Sequence, residues 1–235
     1  MHGKSGKLIV IEGTDGSGKA TQANILYNAL TNKGYPTHKV SFPRYGHPMC
    51  IPVEEFLAGH LGPTSNVSPY GASLLYAVDQ WSSYETDDWG DGYRNGEIVV
   101  ADRYATSNML HQGSRLDEPE RSDYLAWLKN LQFNKLCTPA PDIVIYLHVD
   151  PDIGEKILAE RTGKEGVQHD ILESDKAYQR RCKEIALEIA QKEHWHVINC
   201  TDSNGMRPIL EIHDDIMLKI QNILPKTEDN TNERI

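Results

Sequence analysis

Leu8-Ile-Val-Ile-Glu12 followed by Gly13-Thr-Asp-Gly-Ser-Gly-Lys19 decides the fold of this 235-residue chain. An apolar run of strand length feeds a glycine-rich turn, and the stretch from Ala20 to Lys33 reads as a helix that stops at Gly34. That order turns several backbone N–H groups and the positive end of the helix dipole onto phosphate oxygens, while Lys19 reaches the outer phosphates. Gly13, Thr14, Asp15, Gly16, Ser17, Gly18 and Lys19, with Ala20 and Thr21 behind them, are therefore expected to hold a nucleoside triphosphate. One position departs from the pattern: Ser or Thr normally follows the lysine and offers its hydroxyl to magnesium, and this chain has Ala20. Thr21 points about 100° further round the helix and does not replace it automatically. Gly3-Lys4-Ser5 repeats the letters GKS, but no strand precedes it, and residues 1–6 read as a loose N-terminus.

Outward from that loop, strand-like segments at Leu8–Glu12, His38–Phe42, Glu97–Asp102, Asp142–Val149 and His196–Cys200 alternate with helical ones. Ile98-Val-Val-Ala101 and Ile143-Val-Ile-Tyr-Leu147 are continuous apolar runs, the pattern of strands covered on both faces. The expected fold is a three-layer α/β/α arrangement around a central five-stranded parallel sheet. Helices are expected at Ala20–Lys33, Ser68 to about Asp87 with Ser68 as cap, Thr106–Gln112, Glu120–Lys135, Pro151–Arg161, Leu172–Glu193 and Arg207–Ile223. A content of 39% apolar residues suits one domain, read here as residues 1–224, and the polar stretch 225–235 reads as a disordered tail. A formal charge of -10 argues against a nucleic-acid surface, and no long apolar span points to a membrane. Four widely separated cysteines without a C-x-x-C pair, and no signal peptide, fit reduced thiols and a cytoplasmic location. The scattered histidines lack metal-ligand spacing, so no zinc site is expected.

In such sheets ligands bind beyond the carboxyl ends of the strands. Those ends carry Glu12, then Phe42-Pro43-Arg44-Tyr45, then Asp102-Arg103-Tyr104. Asp102 occupies the position from which a carboxylate orders magnesium or its waters. Asp150, followed by Pro151, reads instead as a helix cap. Arg44 and Arg103 follow strand ends, where planar guanidinium forks suit bidentate phosphate holding. Tyr76 and Gln80 share a helix face and would pair a stacking ring with an amide, although on spacing alone a core tyrosine beside a solvated glutamine is the plainer reading. Asn108 and Gln112 also share a face, with Ser107 and His111 beside it, and point to nucleoside recognition. The stretch from Arg161 to Asp175, with two glycines and alternating charge, reads as a short lid offering Arg161 and Lys164, or as an ordinary charged connection.

Together these segments resemble the thymidylate kinase family, a branch of the P-loop nucleoside monophosphate kinases. The likeness runs from Leu8 to about Ile223 on I-E-G-T-D-G-S-G-K-A-T-Q (11–22), F-P-R-Y-G (42–46), L-L-Y-A-V-D-Q (74–80) and A-D-R-Y-A-T-S-N (101–108). The resemblance implies a P-loop NTPase fold, magnesium-dependent transfer of the γ-phosphate of ATP to dTMP, and a homodimer. It also implies that residues Gly13 to Thr21 bind ATP phosphates, with Asp15 near the acceptor sugar and phosphate. Arg44 and Arg103 would hold the dTMP phosphate beside Phe42, Pro43 and Tyr45. Tyr76 would stack on thymine near Gln80, Ser107, Asn108, His111 and Gln112. Catalysis would fall to Lys19, Asp15, Arg103 and the lid cations Arg161 and Lys164, with Asp15, Asp102, Glu12 and Glu173 as candidates for the metal shell and Asp170 beside them. Gln80 stands where the family commonly has arginine, His111 and Leu172 where aromatic residues are frequent, and Gly16 where one branch has a loop arginine, which shifts the catalytic cation to the lid. A kinase for another nucleotide or deoxynucleoside, and a nucleotide-binding protein without turnover, are the rival readings.

Overall fold

The computed structural model describes residues 5–14, 16–150, 153, 176–203 and 205–225. Its centre is a five-stranded parallel sheet of β1 (Lys7–Gly13), β2 (Thr37–Ser41), β3 (Ile98–Asp102), β4 (Ile143–His148) and β5 (His196–Asn199), in the spatial order β2-β3-β1-β4-β5. β1 is flanked on both sides, pairing Ile11 with Asp102 on β3 and Ile9 with Ile143 on β4. Successive side chains of a strand point to opposite faces, so β1 feeds two cores. Ile9 and Ile11 pack with Ala23, Leu26 and Leu30 of α1 (Lys19–Asn32), together with Ile212, Ile216 and Ile220 of the C-terminal helix Ile209–Ile220. Leu8 and Val10 pack on the other face with Val99, Ala101, Trp89 and Tyr104. The three-layer α/β/α fold expected from the sequence is the one observed.

Five further helices cover the faces and the strand ends: α2 (Ile51–Leu57), α3 (Pro69–Thr86), α4 (Asp88–Arg94), α5 (Ala105–His111) and α6 (Glu120–Lys129). The last two in the chain are α7 (Lys176–Lys192) and α8, the helix Ile209–Ile220 already met; β6 (Thr201–Asp202) and β7 (Gly205–Met206) form a small antiparallel hairpin before it. Ser68 caps α3 as expected, its Oγ accepting from Gly71 N at 3.0 Å. The expected helix over 120–135 instead ends at Lys129 and continues as a π-helical turn over Asn130–Lys135. Two helices have no counterpart in the sequence reading. α2 is one short turn pair whose Val53, Phe56 and Leu57 are buried. α4 carries two glycines, which normally weaken a helix by about 1 kcal/mol each. The close packing requires one of them: a Cβ at Gly90 would lie 1.9 Å from the Tyr84 carbonyl oxygen. Apart from Ile153, the helix expected at 151–161, the lid at 161–175, the start of the helix expected at 172 and the tail from 226 lie outside the described residues. Among the described residues no helix is long and apolar enough to cross a membrane, and the four cysteines carry free thiols.

Candidate active site

The donor side is built where β1 becomes α1. Gly13 has φ +155°, and a Cβ there would meet Ser17 Oγ at 2.5 Å and the Leu147 carbonyl oxygen at 2.8 Å, so the loop closes only around glycine. Gly18, at φ 87° and ψ 18°, is the N-cap of α1 and supplies no capping side chain. The first N–H groups of the helix are therefore left for a ligand, and no acidic residue in the first turn opposes an anion there. Ser17 Oγ is buried and has no hydrogen-bond partner among the described residues. Lys19 is buried, with Nζ donating to the Thr14 carbonyl oxygen at 2.9 Å. Ala20 and Thr21 are exposed. Asp15 lies outside the described residues, as do Arg161, Lys164, Asp170, Leu172 and Glu173.

Glu12 ties the donor loop to the acceptor side. It is fully buried at the end of β1, and Oε1 accepts from Thr106 Oγ1 at 2.6 Å, Ser107 Oγ at 2.9 Å and Tyr104 N at 3.3 Å. Ser107 Oγ also reaches Oε2 at 2.9 Å. Burial raises the pKa of this carboxyl above its ordinary value, and the Arg103 guanidinium and the two hydroxyls pull it back. With its oxygens so engaged, Glu12 is poorly placed as a metal ligand and well placed as the buried anchor of α5. Asp102, partly exposed at the end of β3, makes no side-chain hydrogen bond among the described residues and is the strand-end carboxylate still open to a cation or its waters. No group of three or more His, Cys, Asp or Glu that would cage a metal exists among the described residues.

Arg103 adopts φ 67°, a left-handed conformation unusual for arginine, held by its amide donating to the Ile11 carbonyl oxygen at 3.1 Å. Its Nη1 lies 3.3 Å from His111 Nε2, and His111 Nδ1 lies 3.1 Å from the Tyr178 hydroxyl, which itself donates to the His111 carbonyl oxygen at 3.1 Å. Tyr178 comes from α7 and was not among the expected site residues; a single tyrosine after the lid carries no sequence signal of its own.

Arg44 behaves differently from Arg103. Its Nε donates to Asp79 Oδ1 at 2.8 Å, Nη1 to Asp87 Oδ2 at 2.8 Å, and Nη2 to Ser82 Oγ at 2.6 Å and the Asp79 carbonyl oxygen at 3.0 Å. The guanidinium thus clamps the turn after β2 onto α3 rather than presenting its fork to a ligand. Phe42, followed by a cis peptide to Pro43, is buried against Tyr104 with ring centroids 5.9 Å apart, and Tyr45 stands 65% exposed beyond the clamp. Asp79 is buried, so removing it strands much of the charge on Arg44. Asp79→Ala is expected to lower stability by about 3 kcal/mol in urea unfolding, and a loss below about 1 kcal/mol would contradict the clamp.

The base-reading candidates gather between α3 and α5. Tyr76 is half-buried, edge-to-face with Phe56 at 6.5 Å. Gln80 is not solvated, contrary to the plainer reading of the sequence: it is 2% exposed and its Oε1 accepts from Gln132 Nε2 at 2.7 Å. Ser73 of α3 and the Asn108 carbonyl oxygen of α5 are bridged by the Tyr124 hydroxyl, at 2.7 and 3.1 Å. Asn108 and Gln112, expected on one face, are both buried there.

An open parallel sheet with a phosphate-binding loop after its central strand, and arginine, carboxylate and amide groups at the neighbouring strand ends, defines a nucleotide-handling protein of the P-loop NTPase class. The family model for thymidylate kinase matches residues 11–216. A thymidylate kinase of Mycobacterium tuberculosis is 31% identical over 186 residues, covering 78% of this chain and 85% of that one. The human thymidylate kinase is 25% identical over 218 residues, covering 92% and 90%. A solved thymidylate kinase from Candida albicans superposes with a TM-score of 0.68 at 22% identity, over 93% of this chain and 92% of that one. This chain belongs to the thymidylate kinase family.

Proposed function

We propose that this protein transfers the γ-phosphate of ATP to dTMP, yielding dTDP. The observation that carries the reading is one buried carboxylate, Glu12, joining the two halves of one crevice: the phosphate loop continues from it, and the segment with Arg103, Ser107 and Asn108 is hydrogen-bonded to it. In-line phosphoryl transfer asks little covalent chemistry of a protein beyond positioning and charge stabilisation. Gly13 to Thr21 seat the donor phosphates, with Lys19 swinging from the Thr14 carbonyl onto the transferring group. Arg103 holds the acceptor phosphate, and Tyr45, exposed beyond the Arg44 clamp, closes the acceptor end. Arg44 serves this site through the clamp on Asp79 and Asp87. Tyr76 stacks on the base, while Gln80, Asn108 and Gln112 read its edge. Arg161 and Lys164 are the lid cations of the reaction.

The residues fit a magnesium ion held mainly by nucleotide oxygens and water, the usual state of this ion beside phosphates. Ala20 offers no hydroxyl, Glu12 is engaged, and Asp102 with Asp15 and Glu173 are the carboxylates assigned to its shell. When bound, the ion neutralises charge building on the phosphate oxygens. The substrate panel tests the assignment: ATP with dTMP, dUMP, dCMP, dGMP and thymidine should give turnover best with dTMP, and preference for anything but dTMP would overturn it.

The working form is a cytoplasmic homodimer. Support for self-association comes from α3, whose Leu74, Val78 and Trp81, at helical spacing, form an exposed apolar stripe beside the buried face of Ser73, Ala77 and Gln80. Trp81→Glu is expected to convert the dimer to monomer by light scattering; an unchanged dimer mass would place the interface elsewhere.

A further inference from the structure

The last residue of α5 is an imidazole engaged at both nitrogens, and its partners fix where its proton sits. Arg103 Nη1 lies 3.3 Å from His111 Nε2. A guanidinium donates and cannot accept, so Nε2 is the bare nitrogen of the ring. A neutral imidazole with a bare Nε2 carries its proton on Nδ1, and that N–H faces the Tyr178 hydroxyl at 3.1 Å and Cys182 Sγ at 4.0 Å. Tyr178 can accept there because its own proton goes to the His111 carbonyl oxygen at 3.1 Å. Burial holds this hydroxyl well above its ordinary pKa, so it stays a neutral O–H. Turning the ring over would put carbon atoms at both contacts, and protonating it would set an imidazolium N–H against a guanidinium N–H. The ring of Tyr178 lies 28° from parallel to the imidazole, centroids 6.3 Å apart, and Ser114 Oγ donates to the same His111 carbonyl at 3.0 Å.

We propose that His111 is a positioning residue for the acceptor phosphate: its Nε2 fixes the head of Arg103, and Tyr178 fixes the tautomer of His111. The proposal rests on the dTMP kinase reading above, in which Arg103 holds the phosphate of dTMP. The other end of Arg103 is set by its backbone, held at φ 67° by the amide bond to the Ile11 carbonyl oxygen at 3.1 Å. Charge attraction to Glu12 draws the guanidinium inward without orienting it, whereas a hydrogen bond to one ring nitrogen has a direction. An arginine is a long side chain with much rotamer freedom, and a head already fixed before dTMP arrives loses less of that freedom on binding. This role differs from the nucleoside contact that the family resemblance implies for His111. The imidazole serves the phosphate, through arginine.

The test measures KM for dTMP and for ATP, and the inhibition constant of thymidine, in the wild type, His111→Phe, His111→Gln and Tyr178→Phe. Phenylalanine keeps a ring against Tyr178 and has no acceptor, while the amide oxygen of glutamine can reach the place of Nε2 and accept from Arg103. His111→Phe is expected to raise KM for dTMP about tenfold, with KM for ATP and the thymidine constant each within about twofold, because thymidine has no phosphate for Arg103 to hold. His111→Gln should recover most of the wild-type value, and Tyr178→Phe should raise KM for dTMP about threefold. An unchanged KM for dTMP in a folded His111→Phe enzyme overturns the proposal. So does a rise that thymidine shares, which would make His111 a nucleoside contact, or a rise that ATP shares, which would make its role merely structural. Should His111→Phe fail to fold, Tyr178→Phe decides by the same comparison. A wild type that does not phosphorylate dTMP would sink the parent reading instead, which keeps the two failures distinct.

Discussion

Lys19→Met is expected to lower kcat by on the order of 10³-fold while leaving the protein folded, because a preorganised cation at the transferring phosphate is worth that much and methionine matches the buried stem of lysine. Lys19 Nζ donates to the Thr14 carbonyl oxygen at 2.9 Å, and one neutral acceptor losing a donor costs roughly 1 kcal/mol. Lys19 also offsets part of the charge on Glu12, a lesser influence there than Arg103. Steady-state kinetics and a thermal melt together check the expectation. A variant that melts normally and keeps more than about a tenth of wild-type kcat would remove Lys19 from the catalytic role.

The second large effect falls on stability. Glu12→Ala is expected to destabilise the fold by about 3–5 kcal/mol, since it leaves the Tyr104 amide and the Thr106 and Ser107 hydroxyls without their acceptor and Arg103 without its buried counter-charge. Glu12→Gln keeps an oxygen for Tyr104 and Thr106, lets the Ser107 hydroxyl reverse its bond, and should lose much less. The pH dependence has a definite sign. Burial raises the folded pKa of Glu12 above the free value of 4.5, so its contribution to stability is complete below that pH and declines as pH rises through the folded pKa. Glutamine does not titrate, so the stability of wild type minus Glu12→Gln should shrink with rising pH. Urea unfolding across a pH series measures it, and a difference that grows with pH would refute the placement of Glu12 in a desolvated site.

Much of this was legible in the chain because local pattern and global fold agree. β1, β3 and β4 are continuous apolar runs, and runs of that kind have few alternatives to a sheet covered on both faces. The phosphate loop was legible because glycine positions, strand and helix follow in one contiguous segment. α4 was not, because Gly90 and Gly92 argue against a helix locally, and Gly90 is needed there by packing that only the tertiary fold reveals. Arg44 shows the same limit in the site: its position after a strand end suits phosphate equally well as a clamp, and only the placement of Asp79 and Asp87, 35 and 43 residues on, separates the two. Gln80 reads as a surface amide on helical spacing because Gln132, which buries it, lies in another helix.

Where the phosphate goes is the most direct test of the proposed reaction. With γ-labelled ATP, magnesium and dTMP, the label should appear in the terminal phosphate of dTDP, and Lys19→Met should abolish the transfer. Label released only as inorganic phosphate, or dTMP left unlabelled by the wild-type protein, would contradict the proposal that one crevice holds donor and acceptor together.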